Sequence, residues 1–135
     1  MSLLYETYIF TASSFDYATE IINFIDPDRK YISGILVREN CMETKIGFFI
    51  KDLRIVKNRS LKDMIIVDNL AHCFGFQIEN GIPILEFHDD KHDRELKYLC
   101  TYLIEACSYD DVREFNKMKL KLNELAELKM EDIEI

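Results

Sequence analysis

Residues 64–69 read Met64-Ile65-Ile66-Val67-Asp68-Asn69, four apolar side chains in a row that stop at a carboxylate and an amide. An apolar run without alternation is the pattern of a strand buried on both faces, as in a parallel sheet covered by helices. Upstream, Tyr5 to Phe10 is β-branched or aromatic and ends at Thr11-Ala12-Ser13-Ser14, a strand entering a helix start. Ser13 with Asp16 forms an acidic variant of the capping box, and Phe15, Ala18, Ile21, Ile22 and Ile25 then share one helical face. Pro27 disfavours helix at Asp26 and ends the segment there. Tyr31 to Val37 and Ile46 to Ile50 are further strand-like runs, and Ile82 to Leu85 is a shorter one in which Pro83 argues for an edge position.

The C-terminal third has helical spacing. Leu96, Leu99, Cys100, Leu103, Ile104 and Cys107 recur at three and four residues from a start near Asp93. A second helix starts around Asp110-Asp111, carries Val112, Phe115, Met118, Leu122 and Leu125, and reaches about Lys129. Strands alternating with helices predict an α/β fold with a mainly parallel sheet, in which ligands sit at the carboxyl ends of strands. That rule picks out Thr11 to Ser14 and Asp68-Asn69.

Composition narrows the function classes. The 135 residues carry 17 Lys and Arg against 25 Asp and Glu, a net charge of −8, with 48% hydrophobic residues. An acidic surplus argues against nucleic-acid binding, which needs a cationic face, and no basic-plus-apolar leader or long apolar run suggests a membrane segment. Cys41, Cys73, Cys100 and Cys107 follow no zinc spacing and read as reduced core thiols of an intracellular protein. Residues His88 to Asp93 gather two imidazoles and three carboxylates, yet fit a polar loop leading to a helix cap. His72, among Leu70, Ala71, Cys73 and Phe74, reads as a core-margin residue.

Taken singly, the candidate site residues each have two readings. Asp68 and Asn69 are hard oxygen donors suited to Mg²⁺ or a strand-end turn. Thr11 could hydrogen-bond an anion or cap a helix. Lys51, after Phe48-Phe49-Ile50, could clamp a phosphoryl group or stand as solvated surface.

In order, the segments resemble a family. Phe10-Thr11-Ala12-Ser13 with Tyr17-Ala18, Asp26-Pro27, Leu36-Val37-Arg38-Glu39-Asn40-Cys41, Ile50-Lys51-Asp52-Leu53, Ile65-Ile66-Val67-Asp68-Asn69, Phe76 to Ile84, Asp89-Asp90 and Asp110-Asp111-Val112-Arg113 are similar to blocks of the small C-terminal-domain phosphatases. This Fcp/Scp-type group includes the NLI-interacting-factor-like proteins of the haloacid dehalogenase superfamily. The likeness covers about Tyr5 to Phe115. It implies a Rossmannoid three-layer sandwich, a phosphatase homology domain over 1–115 and a helical extension over 116–135.

The resemblance also implies roles. Thr11 and Lys51 would hold phosphoryl oxygens, Asp68 and Asn69 would supply the protein side of a Mg²⁺ site, Arg38 would face the substrate phosphate, and Tyr17 would line the pocket. Substrates would be phosphoserine proteins, the RNA polymerase II tail among them, met in the nucleus or cytoplasm. Catalysis would pass through an aspartyl phosphate, with electrostatic positioning supplying most of the rate.

The family's nucleophile motif, Asp-x-Asp-x-Thr on the first, central strand, should precede Thr11, where the ten residues hold no Asp. Asp26-Pro27-Asp28 imitates its spacing, but Lys30 replaces the threonine and the pair falls at the helix exit. Leu70-Ala71 stands where Ser-Pro is common, and Ser14 where a larger apolar residue lines the pocket. Two expectations follow: a piece of an active phosphatase lacking its first strand, or a non-catalytic pseudophosphatase that binds phosphoproteins or scaffolds a partner. Both imply an inactive chain, and the empty strand position implies homo-oligomers or strand exchange.

Overall fold

The computed structural model describes residues 1–120, and the chain divides into two compact units, Met1–Lys51 and Asp52–Ile135. The fold is α/β, with a parallel strand pair in each unit and three α-helices among the described residues.

The first unit is a β-α-β element followed by a small hairpin. Strand β1 (Thr7–Phe10) and strand β2 (Ile32–Leu36) pair in parallel, with Ile9 opposite Ile35 and Phe10 opposite Leu36. Helix α1 (Phe15–Ile25) connects them, as a parallel pair requires. Its cap is Ser14, whose Oγ accepts the Tyr17 N–H at 3.3 Å, and not the expected Ser13. The Ser13 hydroxyl is engaged by Thr11 Oγ1 at 2.9 Å, which moves the cap one residue on. The buried stripe of α1 is also narrower than its spacing predicts: Ala18 and Ile22 are buried, while Phe15, Ile21 and Ile25 are exposed. Strands β3 (Met42–Glu43) and β4 (Phe49–Ile50) form an antiparallel hairpin, so only the end of the Ile46 to Ile50 run is strand. Thr44 closes its loop, since Thr44 Oγ1 accepts the Phe48 N–H at 3.0 Å.

Asp26 locks the return from α1 into β2. Its buried carboxylate accepts the N–H groups of Lys30 at 3.0 Å, Tyr31 at 3.1 Å and Ile32 at 2.9 Å. Burial pushes this carboxyl up, but the Ile32, Tyr31 and Lys30 donors and the Arg29 charge outweigh it and hold it below the usual carboxylate range.

In the second unit, strand β5 (Ile66–Asp68) pairs in parallel with β6 (Gly81–Pro83), placing Val67 opposite Ile82 and Asp68 opposite Pro83. The Met64 to Val67 run was expected to be buried on both faces; Ile66 is buried, whereas Met64, Ile65 and Val67 are half-buried, because β5 has one strand neighbour among the described residues. Leu53, Ile66, Cys73 and Phe74 make the core, with Leu61, Met64, Ala71 and Ile78 packed against it. Gly81 is required by the close approach of the Phe74 ring, which a Cβ there would overlap. His72 lies half-buried in a 3-10 turn, Ala71–Phe74, at the core margin.

Helix α2 (Glu95–Ala106) follows an exposed loop in which Asp93 Oδ1 accepts the Glu95 N–H at 2.8 Å. Helix α3 (Val112–Leu120) starts where Asp111 Oδ1 accepts the Arg113 N–H at 3.0 Å, as the acids predict. Phe115 is fully buried between the rings of Tyr102 and Tyr109. Met118 is exposed; Leu122, Leu125 and the expected helix end at Lys129 lie outside the described residues. The thiol reading needs correction: all four cysteines are unbridged, but only Cys73 is buried, Cys41 is half-buried, and Cys100 and Cys107 are exposed. Cys100 lies on the outer face of α2 with Leu96 and Ile104, since that helix turns Tyr102 and Ala106 inward, and Cys107 caps its C-terminal end.

Asp52 ties the second unit's first turn together and makes it pH-sensitive. The Arg54 guanidinium donates to both its carboxylate oxygens, and Gln77 Nε2 donates to Oδ1 at 2.8 Å. The Arg54 side chain, helped by its own N–H and by Gln77 and opposed by burial, holds Asp52 at about 2, against an ordinary 3.8. A lowered folded-state value stabilises above the unfolded value and is lost as pH falls through the folded one. Because Arg54 is 63% exposed, screening trims the contribution to about 1–2 kcal/mol. Chemical denaturation of wild type and Asp52→Asn should therefore show a gap of that size at pH 6 that closes between about pH 4 and pH 2; a gap constant with pH would refute the charge account.

Candidate functional site

The carboxyl ends of β1 and β2 meet at one corner of the first unit. The Thr11 N–H donates to Leu36 O at 2.9 Å, extending the pairing by one step. Past it the chain turns so that Ser13 N donates to Thr11 Oγ1 at 3.2 Å, and Thr11 and Ser13 share a hydroxyl contact. The segment after β2 folds back as a 3-10 turn, Arg38–Asn40, closed by Asn40 Oδ1 accepting the Val37 N–H at 2.9 Å.

That turn brings Arg38 to the Thr11 loop. Its backbone N–H donates to Ser13 O at 3.1 Å and its Nε donates to Ala12 O at 2.7 Å. The guanidinium also lies over the Phe49 ring of β4, 5.7 Å from the centroid. Cys41 closes the corner through long Sγ contacts to Thr11 O and Val37 O. Two hydroxyls and one guanidinium are thus held at adjacent parallel strand ends, an arrangement able to receive a small oxyanion. Lys51 stands half-buried directly after β4. Tyr17 is exposed in the first turns of α1.

Asp68 and Asn69 belong to the second unit, at the end of β5. The Asp68 Oδ1 accepts the Leu70 N–H at 3.0 Å, so the turn reading of this pair is realised, and Asp68 O accepts the Ile84 N–H at 3.1 Å. Asn69 is exposed. One carboxylate and one amide oxygen are hard donors, and Mg²⁺ commonly keeps waters on much of its octahedron, so the pair suits part of a Mg²⁺ site. No group of three or more His, Cys, Asp or Glu side chains able to hold a metal occurs among the described residues.

Sequence reasoning missed the partners that aim Arg38. Ala12 and Ser13 act through backbone carbonyls, which no side-chain pattern reveals, and Phe49 reads only as a strand residue. Ser13 had a signal, a second hydroxyl two residues after Thr11, which the capping pattern absorbed.

The parallel β1–β2 pair linked through α1, with a hydroxyl and guanidinium corner at its carboxyl ends, makes this an α/β chain whose polar side chains gather at strand termini. More narrowly, the chain belongs to the NLI interacting factor-like phosphatase family, whose model matches residues 1–113. It is 40% identical over 125 residues to CTD small phosphatase-like protein 2 of Dictyostelium discoideum, covering 93% of this chain and 22% of that protein. It is 37% identical to CTD small phosphatase-like protein 3 of Caenorhabditis elegans, covering 92% of this chain and 43% of the relative. Phosphatase PSR1 of Saccharomyces cerevisiae is 38% identical over 93 residues, 69% of this chain and 21% of that protein. The chain spans less than half the length of each of these relatives.

Arg38→Ala should loosen the loop it holds. Loss of a charged donor to Ala12 O corresponds to about tenfold faster amide exchange at Ser13, with the β1 amides of Ile9 and Phe10 unchanged. Unaltered Ser13 exchange would show that the guanidinium does not order the loop.

Proposed function

We propose that this chain is part of a Mg²⁺-dependent protein serine/threonine phosphatase of the haloacid dehalogenase type, a Rossmannoid three-layer fold acting through an aspartyl phosphate. Family membership supports the class. The observation that carries the site is the Arg38 Nε contact to Ala12 O, which fixes a guanidinium on the loop that follows Thr11 at the strand ends. In this reading Thr11 and Lys51 hold the phosphoryl oxygens, Arg38 receives the substrate phosphate and Tyr17 lines its approach. Asp68 and Asn69 are the ligands this chain offers to Mg²⁺, which when bound neutralises phosphate charge. This reading takes 1–115 as the homology region; most of the expected extension over 116–135 lies outside the described residues. The substrate class is phosphoserine protein, including the RNA polymerase II tail, at a nuclear or cytoplasmic location.

The 135 residues contain no Asp-x-Asp-x-Thr sequence. In this reading the chain by itself binds phosphate through the Thr11–Arg38 corner and, without that motif, does not turn it over. A phosphoserine-binding scaffold is the second reading, favoured by that same missing motif.

Two measurements test this. Incubated with Mg²⁺ and an aryl phosphate, the chain releases no phosphate, whereas a singly phosphorylated serine peptide binds it and loses about tenfold in affinity with Arg38→Ala or Thr11→Ala. Turnover abolished by Lys51→Ala would overturn the inactive assignment, and equal binding of the unphosphorylated peptide would overturn the phosphoserine site.

Each described sheet has two strands, so each strand has one side without a strand neighbour among the described residues. Exposed strand edges recruit other strands, and we expect self-association or strand exchange. Light scattering should give a mass above that of one chain; a strict monomer at high concentration would count against it.

A further inference from the structure

The arginines of this chain are held in different ways. Arg54 and Arg113 each spend Nε and Nη2 on a carboxylate two residues back, Asp52 and Asp111. Arg29 spends both terminal nitrogens, on Asp26 O and Asn23 Oδ1. Arg38 is tied without a carboxylate: its backbone N–H donates to Ser13 O, its Nε donates to Ala12 O at 2.7 Å, and its guanidinium carbon lies 5.7 Å from the centroid of the Phe49 ring. Neither of its terminal nitrogens has a hydrogen bond or ion pair among the described residues, and the side chain is exposed.

That difference decides what each guanidinium can still bind. The group carries its donors in a rigid planar fork, and the Nη1–Nη2 edge matches two oxygens of one phosphate. A carboxylate partner would orient Arg38 but cancel its charge and take up the fork. An aromatic face attracts the cation without accepting any of its N–H groups, so it holds the group and leaves the fork open. Phe49 is half-buried and belongs to the same compact unit as Arg38. The ring stands on a hairpin that closes itself: Phe49 pairs with Glu43, Thr44 N donates to Phe48 O at 2.8 Å, and Gly47, at a positive φ of 86°, donates to Thr44 O at 3.0 Å.

We propose that Phe49 is a positioning residue for phosphate: its ring, with the Ala12 carbonyl, fixes Arg38 so that both terminal nitrogens stay available as a bidentate fork for one phosphoryl group. The inference rests on the reading of Arg38 as the receiver of substrate phosphate, and it adds the β3–β4 hairpin to what sets phosphate affinity.

The test combines fluorescence anisotropy on a singly phosphorylated serine peptide with NMR of the Arg38 Nε–H in the ligand-free full chain. Phe49→Leu and Phe49→Met, apolar but ringless, should each bind the peptide about threefold more weakly, the share of an exposed cation–π contact. Arg38 Nε–H exchange should quicken by a similar factor in both, and Phe49→Tyr should restore affinity and exchange. On an Arg38→Ala background, Phe49→Leu should cost nothing more, whereas a ring that only stabilised the hairpin would weaken both backgrounds alike. Wild-type affinity or unchanged Nε–H exchange in both ringless variants, a Phe49→Tyr chain as weak as they are, or a loss that persists on Arg38→Ala would overturn the proposal. Inorganic phosphate, titrated on the same Nε–H signal, separates this inference from the one beneath it. If phosphate binds with the same dependence on Phe49 while the phosphopeptide binds no better than its unphosphorylated form, the positioning role stands and the phosphoserine reading falls; if neither phosphate nor phosphopeptide binds, both fall.

Discussion

Satisfying backbone groups at the ends of very short elements is the constraint that organises this chain. The strands are two to five residues long, and much of the rest runs through 3-10 turns and loops. Such a chain has many N–H and C=O groups that no ladder or helix pairs, and each would be costly if buried alone. Buried polar side chains fill that need. Two of the five largest fully buried side chains are asparagines, Asn80 and Asn116. Asn80 serves two carbonyls, while Asn116 donates to Glu79 O at 2.8 Å and accepts the Tyr102 hydroxyl at 2.6 Å. Lys117 adds an ion pair to Glu79 at 3.1 Å, so α3 is fastened to the 77–80 turn by an amide and by a charge.

Asp26 plays the corresponding part in the first unit, and its effect reaches the candidate site through register. Three N–H groups converge on its carboxylate just as β2 begins, which fixes where the chain enters β2; the pairing shifts by one residue between Thr7 and Tyr8 before Ile9 meets Ile35. Six residues after Ile32, just past the end of β2, the chain has delivered Arg38 to the Thr11 loop. A slip of one residue would turn every β2 side chain to the other face and carry the Arg38 turn with it. The Thr11–Arg38 corner at the carboxyl end of β2 thus lies on the strand whose entry is held by a carboxylate.

What could be read beforehand follows from which forces leave a local trace. The β-α-β order was legible because β-branched and aromatic runs, Ser-rich caps and Pro27 act within a few residues. The Thr11, Arg38, Lys51 and Asp68-Asn69 set is proposed from ordered family blocks; spacing alone left each with a bland alternative, and the Asp68 turn realises one of them. Burial was read less well. Helical spacing marks Leu96, Cys100 and Ile104 as one stripe but does not say whether anything packs on it, and in this chain they face outward. Asn80 left no trace, since its amide reaches carbonyls 16 and 19 residues away. The cap moved from Ser13 to Ser14 because the Thr11 hydroxyl competes for Ser13, a contact between neighbours that a capping pattern ignores.

Charge placement ties these observations to recognition. An excess of eight acids would be expected to keep anions away, yet the chain concentrates cations at two positions that are structurally fixed: Arg38, held by Ala12 O and the Phe49 ring, and the 54–62 loop, pinned by Gln77 and Asn80. Fixed local cations in an acidic background select by size as well as by charge. A short anionic segment meets only the local attraction, whereas a long polyanion also meets the surrounding carboxylates at distances that a Debye length of about 8 Å does not fully screen. At each of the two positions taken by itself, electrostatics opposes a long polyanion more than a short anionic segment.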